Sequence, residues 1–272
     1  MMMDLPILTV ELANRMERID FEVLRDRMQA VQLRKGNPNN VEIKSFGKCM
    51  ALSADDMPRE FNKVWFFSED DISRLDDMVA YYKERNLPFS IDITPVTLTG
   101  RLAKELNKKG FYQHGFHSTL FGAPSIDNHN TMKPIRILKA GKEEMSLFSS
   151  LFSQSLEIPF DIPENNESFS ILHNNPEWSF YIGYVNEIPA GFSMLYIGAN
   201  GIACLGMAGT LPAFRGHGLQ LAMLKRRLMD AKERLSHIIV AQCEFGTPSF
   251  RNLQRVGLKV AYTKSVWYSP LP

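Results

Sequence analysis

The sequence predicts an α/β chain made of two similar halves, and three observations predict it. Apolar or alternating stretches of strand length take turns with stretches of helical period along the whole chain. The run Leu106-Asn-Lys-Lys-Gly110-Phe111 returns at one constant offset as Leu253-Gln-Arg-Val-Gly257-Leu258, and Ser118 and Ser265 keep that offset. Both halves therefore end in a helix, a glycine and a strand. Between them, Gly122-Ala-Pro-Ser-Ile-Asp-Asn-His-Asn-Thr-Met-Lys-Pro134 is rich in turn formers and poor in large apolar side chains, and reads as a linker. At 272 residues and 44% hydrophobic content the chain has material for two domains with real cores. The expected division is 1–121, a linker at 122–134, and 135–272.

Taken in order, Ile19, Leu24, Met28 and Val31 among charges predict helices between about residues 9 and 34, ended by Lys35-Gly-Asn-Pro-Asn-Asn40. Residues 41–52 read as a strand pair and 64–67 as a short buried strand. Ser68-Glu-Asp-Asp71 supplies a serine cap and an acidic first turn for a helix to about Tyr82. A strand at 89–94, a helix at 97–109 and a strand at 111–121 complete the first half. The second half begins with a strand at 134–138, a helix at 143–156, a proline-bounded loop at 157–163 and a short helix at 167–172. Strands at 178–185 and 191–197 form a hairpin about Asn186-Glu-Ile-Pro189, and 202–211 is a continuous apolar strand. Leu221, Leu224, Leu228, Ala231 and Leu235 fall at spacings of three and four, one apolar stripe of a helix. A strand at 237–245, a helix opened by Thr247-Pro248 and closed by Gly257, and a strand at 258–268 follow.

A net charge of +1 supplies no bulk field for polyanions, so the expected partner is a small-molecule or peptide substrate, with no nucleic acid and no membrane. A monomer or homodimer is expected. Cys49, Cys204 and Cys243 are too few and scattered for a disulfide framework or zinc ligand pairs. The N-terminus lacks a basic flank, apolar core and cleavage site, and no apolar run reaches membrane-spanning length, so a cytoplasmic protein is expected. His114 and His117 have no carboxylate or cysteine at ligand spacing; they are expected as surface histidines on a strand, and no metal is expected.

The chemistry is concentrated in Gly206-Met-Ala-Gly-Thr-Leu-Pro-Ala-Phe-Arg-Gly-His-Gly-Leu-Gln-Leu-Ala-Met-Leu224. A buried strand runs through Pro212 into a glycine loop and out into a helix. Gly216 and Gly218 permit backbone conformations closed to other residues and let a ligand come close. The helix points its unpaired first-turn N–H groups into the same loop, which makes an anion seat. Arg215 adds a forked positive charge suited to phosphate oxygens. No Gly-x-x-x-x-Gly-Lys-Ser/Thr run is present, and Leu221 stands where a dinucleotide fingerprint has its third glycine.

Thr210-Leu-Pro-Ala-Phe-Arg-Gly-His-Gly-Leu-Gln220 resembles motif A of the GNAT family of acyl-CoA-dependent N-acyltransferases, with Gln220 in place of the usual last small residue. With the repeated helix-Gly-strand unit, the chain resembles the tandem GNAT arrangement, a degenerate N-terminal copy followed by an intact C-terminal one. The fold class this implies is α/β (α+β): two tandem GNAT-like domains, each a mixed, mostly antiparallel sheet flanked by helices. In the first copy Ser68-Glu69-Asp70-Asp71 offers no glycine and three carboxylates that would repel a pyrophosphate.

The activity the resemblance implies is transfer of an acetyl group from acetyl-CoA to a primary amine of a small molecule or peptide. The alternative is a non-catalytic acyl-CoA-binding sensor or interaction module. The pyrophosphate would rest on the backbone of Arg215, Gly216, His217, Gly218, Leu219 and Gln220. The pantetheine arm would pair with Ala208, Gly209 and Thr210, where an N–H also stabilises the oxyanion, with Ser249 and Asn252 as further partners. Ala208 and Gly209 are small either for that approach or for packing a helix on the strand.

An amine with a pKa near ~10.4 needs a base. Residues 201–211 hold no carboxylate, so the candidates are Glu244, then Glu157, Asp161 and Glu164. Leu253 stands where many relatives place a tyrosine, which leaves Tyr262 or a water as the acid. Phe152, Leu156, Phe160, Phe169 and Trp178 read as an acceptor pocket or as core.

Overall fold

Thr9 accepts a hydrogen bond from the Leu12 N–H at 3.2 Å and so starts α1 (Val10–Gln32) as a single long helix. The structure is a computed structural model that describes residues 5–124, 135–157 and 162–270, without the side chains of 162–165. After α1 come β1 (Glu42–Phe46), β2 (Cys49–Ser53) and β3 (Lys63–Trp65). Ser68 and Asp71 then form a reciprocal capping box over a 3-10 turn that leads into α2 (Leu75–Glu84). β4 (Ser90–Ile93), α3 (Gly100–Lys108) and β5 (Tyr112–Gly122) close the first half.

The second half runs β6 (Ile135–Lys139), α4 (Met145–Leu156), α5 (Ile162–His173), β7 (Trp178–Val185) and β8 (Ile188–Ile197). It continues with β9 (Ile202–Thr210), α6 (Leu219–Glu233), β10 (Ile238–Cys243), α7 (Pro248–Arg255) and β11 (Lys259–Tyr268). Two expectations are corrected. α5 begins five residues earlier than the pattern suggested, because Pro163 sits in its first turn, where a missing N–H costs nothing. α6 ends at Glu233, so Leu235 leaves the stripe: it takes a left-handed φ of 61° and is exposed, while Ser236 donates back to the Ala231 carbonyl and closes the helix.

All eleven strands form one sheet in the order β1-β2-β3-β4-β11-β5-β10-β9-β8-β7-β6. Only β3 with β4 and β9 with β10 are parallel; the other neighbours are antiparallel. The order shows an exchange. β5, last of the first half, pairs with β10 of the second, and β11, last of the second, pairs with β4 of the first. Both strands enter through the same cap: Phe111 donates to the Leu106 carbonyl and Leu258 to that of Leu253, with Gly110 and Gly257 at φ 81° and 92°. The repeat seen in the sequence is thus the pair of elements that the halves trade.

α1, α4 and α5 cover one face of the second-half strands, and α6 and α7 cover the other. α1 also reaches the first half, where Phe21 and Met28 pack with Val41, Leu52 and Trp65. Phe152, Phe169 and Trp178 belong to the core under α4 and α5. Beneath α1 lies a buried charge cluster. Lys264 on β11 meets Glu17 Oε2 at 3.2 Å, Asp20 Oδ2 at 3.1 Å and Asp92 Oδ2 at 3.8 Å, and Lys63 meets Asp92 at 2.8 Å. Burial alone would push Lys264 down, but Glu17, Asp20 and Asp92 together hold it above its usual value, so it stays charged.

Candidate functional site

The two parallel central strands part company halfway. β10 pairs with β9 only from Ile238↔Ile202 to Val240↔Cys204, after which residues 205–210 and 241–243 diverge. On its other side β9 stays paired with β8 but carries one extra residue between Leu205 and Ala208, a β-bulge. Arg227 of α6 fastens this irregularity. Its Nη1 donates to the Met194 and Gly206 carbonyls at 3.0 Å and its Nε to the Met223 carbonyl at 3.2 Å. Burial, with no carboxylate partner among the described residues, pushes that guanidinium down to about 10.

Past β9 the loop leads into α6 through Gly216 at φ 83° and Gly218 at φ 80°, both facing open space. Gly218 is the N-cap, and no side chain caps the helix. Among the described residues, the N–H groups from Gly216 to Gln220 meet no acceptor in the protein, so they form an outward row of donors. The matching place in the first half is stoppered by its own Ser68 and Asp71, and Asp71 is buried there.

The expected cofactor residues divide as follows. The Arg215 N–H is taken by the Pro212 carbonyl. Its guanidinium turns back to the Thr210 and Ser155 carbonyls and to Glu157 at 3.2 Å, tying the loop to the end of α4. His217 is exposed. Leu219 is buried and anchors the first turn of α6. Gln220 Nε2 donates to Ser249 Oγ at 2.9 Å and its Oε1 accepts from Asn252, so three expected residues meet as one chain between α6 and α7. That contact explains the departure at Gln220: its amide spans a gap that a small residue would leave open. A Cβ on Gly209 would come within 2.6 Å of Ser155 and closer still to Phe192, so helix packing on the strand already requires glycine there. Ala208 and Thr210 pair with Ser193 and Gly191.

A cavity of about 350 Å³ opens between the parted strands and continues through the sheet towards α1. On the α6 side Gln220, Ser249 and Leu253 line it, and Gln242 of β10 adds a buried Nε2 that meets no acceptor. Cys204 and Cys243 also line it, but burial pushes both thiols up, Cys243 to about 11, so neither is a thiolate at neutral pH. On the α1 side stand Asp20, Arg27, Lys63, Trp65 and His117. Burial and the charge of Lys264 push His117 below its usual value, so it is a neutral imidazole at pH 7. His117 is therefore half-buried in a cavity wall, unlike His114, which is exposed and stacks on Tyr268.

The expected catalytic residues are not brought together. Glu244 is exposed beyond the end of β10 and is absent from the cavity wall. Tyr262 is buried against α1, where its hydroxyl donates to Glu17 Oε1 at 2.7 Å, and burial together with Glu17 pushes it up. Asp161, Phe160 and the side chain of Glu164 lie outside the described residues. The sequence reading passed over Gln242, whose only signal is a polar side chain inside the apolar run of β10. It also passed over His117 as a wall residue, since only the exchange of β5 carries it there.

No family model matches the sequence, and no curated protein matches it. Solved structures do match over nearly the whole chain. A GCN5-related N-acetyltransferase from Kribbella flavida superposes with a TM-score of 0.65 at 13% identity, covering 93% of this chain and 95% of that one. A GCN5-related N-acetyltransferase from Sphaerobacter thermophilus gives 0.63 at 13% identity, over 92% and 84%. A tandem GNAT protein from the clavulanic acid biosynthesis pathway gives 0.57 at 13% identity, over 92% and 94%. At such identities it is the fold that is shared: the chain is built on the tandem GNAT fold, with the helix start of its first copy stoppered and that of its second copy open.

Proposed function

We propose that the protein is an acetyl-CoA-dependent N-acetyltransferase whose C-terminal copy binds the cosubstrate and whose N-terminal copy completes the acceptor side. The observation that carries this is the uncapped row of amides from Gly216 to Gln220 beside a cavity that passes between parted strands to a neutral histidine. The donors suit a pyrophosphate, and the orphan amide of Gln242 suits a carbonyl of the pantetheine arm. Acetyl-CoA supplies an activated thioester. The amine nitrogen forms the new C–N bond as the C–S bond breaks, His117 takes the surplus proton of the nitrogen, and coenzyme A leaves as a thiolate that water can protonate. With both cavity thiols protonated, direct transfer is favoured over an acyl-cysteine route.

Leu253 and the engagement of Tyr262 with Glu17 favour a second reading, an acyl-CoA-binding module without turnover. Two measurements test the pair. Acetyl-CoA at a hundredfold excess over its dissociation constant should stabilise the fold by about 2.7 kcal/mol; no shift in melting temperature would sink both readings. Saturable thiol release with a panel of amines supports the enzyme, and stabilisation without release supports the module.

A further inference from the structure

One face of α1 walls the far end of the cavity with Asp20, Val23, Leu24 and Arg27. The spacing stacks them over two helical turns, with Asp20 and Arg27 about 10 Å apart along the axis. The two charged ends are not equivalent. Asp20 is neutralised by Lys264 at 3.1 Å, and on the same wall Lys63 is neutralised by Asp92 at 2.8 Å. Arg27 has no carboxylate within ion-pair distance among the described residues; its guanidinium lies over the Phe61 ring at 5.0 Å. Burial pushes it down to about 10 and no acid pulls it back. At the Asp20 end, the Trp65 ring lies 5.2 Å from Lys264 Nζ and 5.4 Å from Lys63 Nζ, and its buried Nε1–H meets no acceptor among the described residues. Arg27 is half-buried, a forked positive charge on the cavity wall that no described acid neutralises, and so it is available to an anion entering the cavity. At the other end His117 and Asp20 offer proton acceptors, and apolar Val23 and Leu24 lie between.

From this polarity we infer that the acceptor is an amino acid in the broad sense, a short molecule whose carboxylate seats on Arg27 while its amine lies by His117 at the parted strands. The role of the amine rests on the transferase reading; the carboxylate seat does not. The probes are 6-aminohexanoate, hexylamine and 1,5-diaminopentane, each measured by calorimetric binding to the full chain and by thiol release from acetyl-CoA. The seat predicts that 6-aminohexanoate binds at least about tenfold more tightly than either carboxylate-free amine. Arg27→Met should erase that ratio, and Arg27→Lys, which keeps the charge and loses the fork, should reduce it. Equal or better binding of hexylamine or the diamine to the wild-type protein overturns the inference, even where thiol is released. Preferential binding of 6-aminohexanoate without thiol release keeps the seat and removes the transferase reading. If Arg27→Met does not fold, the wild-type ratio and Arg27→Lys decide the matter.

Discussion

At the scale of single residues, the open loop depends on two left-handed glycines. Gly218→Ala places a Cβ on a backbone at φ 80°, which should cost about 1–2 kcal/mol. Because that Cβ meets no neighbour, the fold should survive while stabilisation by acetyl-CoA falls, as paired melting curves with and without ligand would show. His117 sets the pH behaviour. Burial and Lys264 hold its folded pKa below the ordinary 6.5, so it contributes stability fully above pH 6.5 and loses it as pH falls through the folded value. Activity should fall over the same acid window as the base becomes imidazolium. His117→Asn should lower kcat/KM by about a hundredfold or more at pH 7; a rate within threefold of wild type would exclude His117 as the base.

Among elements, α1 is held to β4 and β11 by its acids around Lys264. Lys264→Met would leave Glu17 buried and Asp20 half-buried without their cation, with Asp92 held by Lys63 alone, and should destabilise the fold by about 3–5 kcal/mol in urea unfolding. The sign of its pH dependence is opposite to that of His117: the raised pKa of Lys264 contributes stability below pH 10.5 that is lost as pH climbs through the folded value. The elements themselves were legible in the sequence because their signals are local. Thr9, Thr99 and Thr247 each cap the helix they precede, and Gly110 and Gly257 each close one. The glycine loop was legible for the same reason. The cavity wall was not, because Arg27, Trp65, His117 and Gln242 sit on four elements far apart in the chain, and none stands out from its own neighbours in sequence.

For the molecule as a whole, strand exchange is the feature no pattern announces, since β5 and β11 carry the same alternation whichever half they join. It makes a sharp forecast for the two segments the sequence suggests. Residues 135–272 expressed alone would expose the edge of β10 where β5 belongs, so the fragment should aggregate or stay unfolded, and coexpression with residues 1–121 should restore a soluble complex. A monomeric fragment with a cooperative melt would contradict this. The trade also governs what mutation can erode. A duplicated module can ordinarily lose its idle copy outright, whereas here deleting either copy tears a gap in the middle of the survivor's scaffold. Decay is therefore channelled into the loop at the first copy's stoppered helix start, while its closing helix and last strand remain as indispensable as those of its sister.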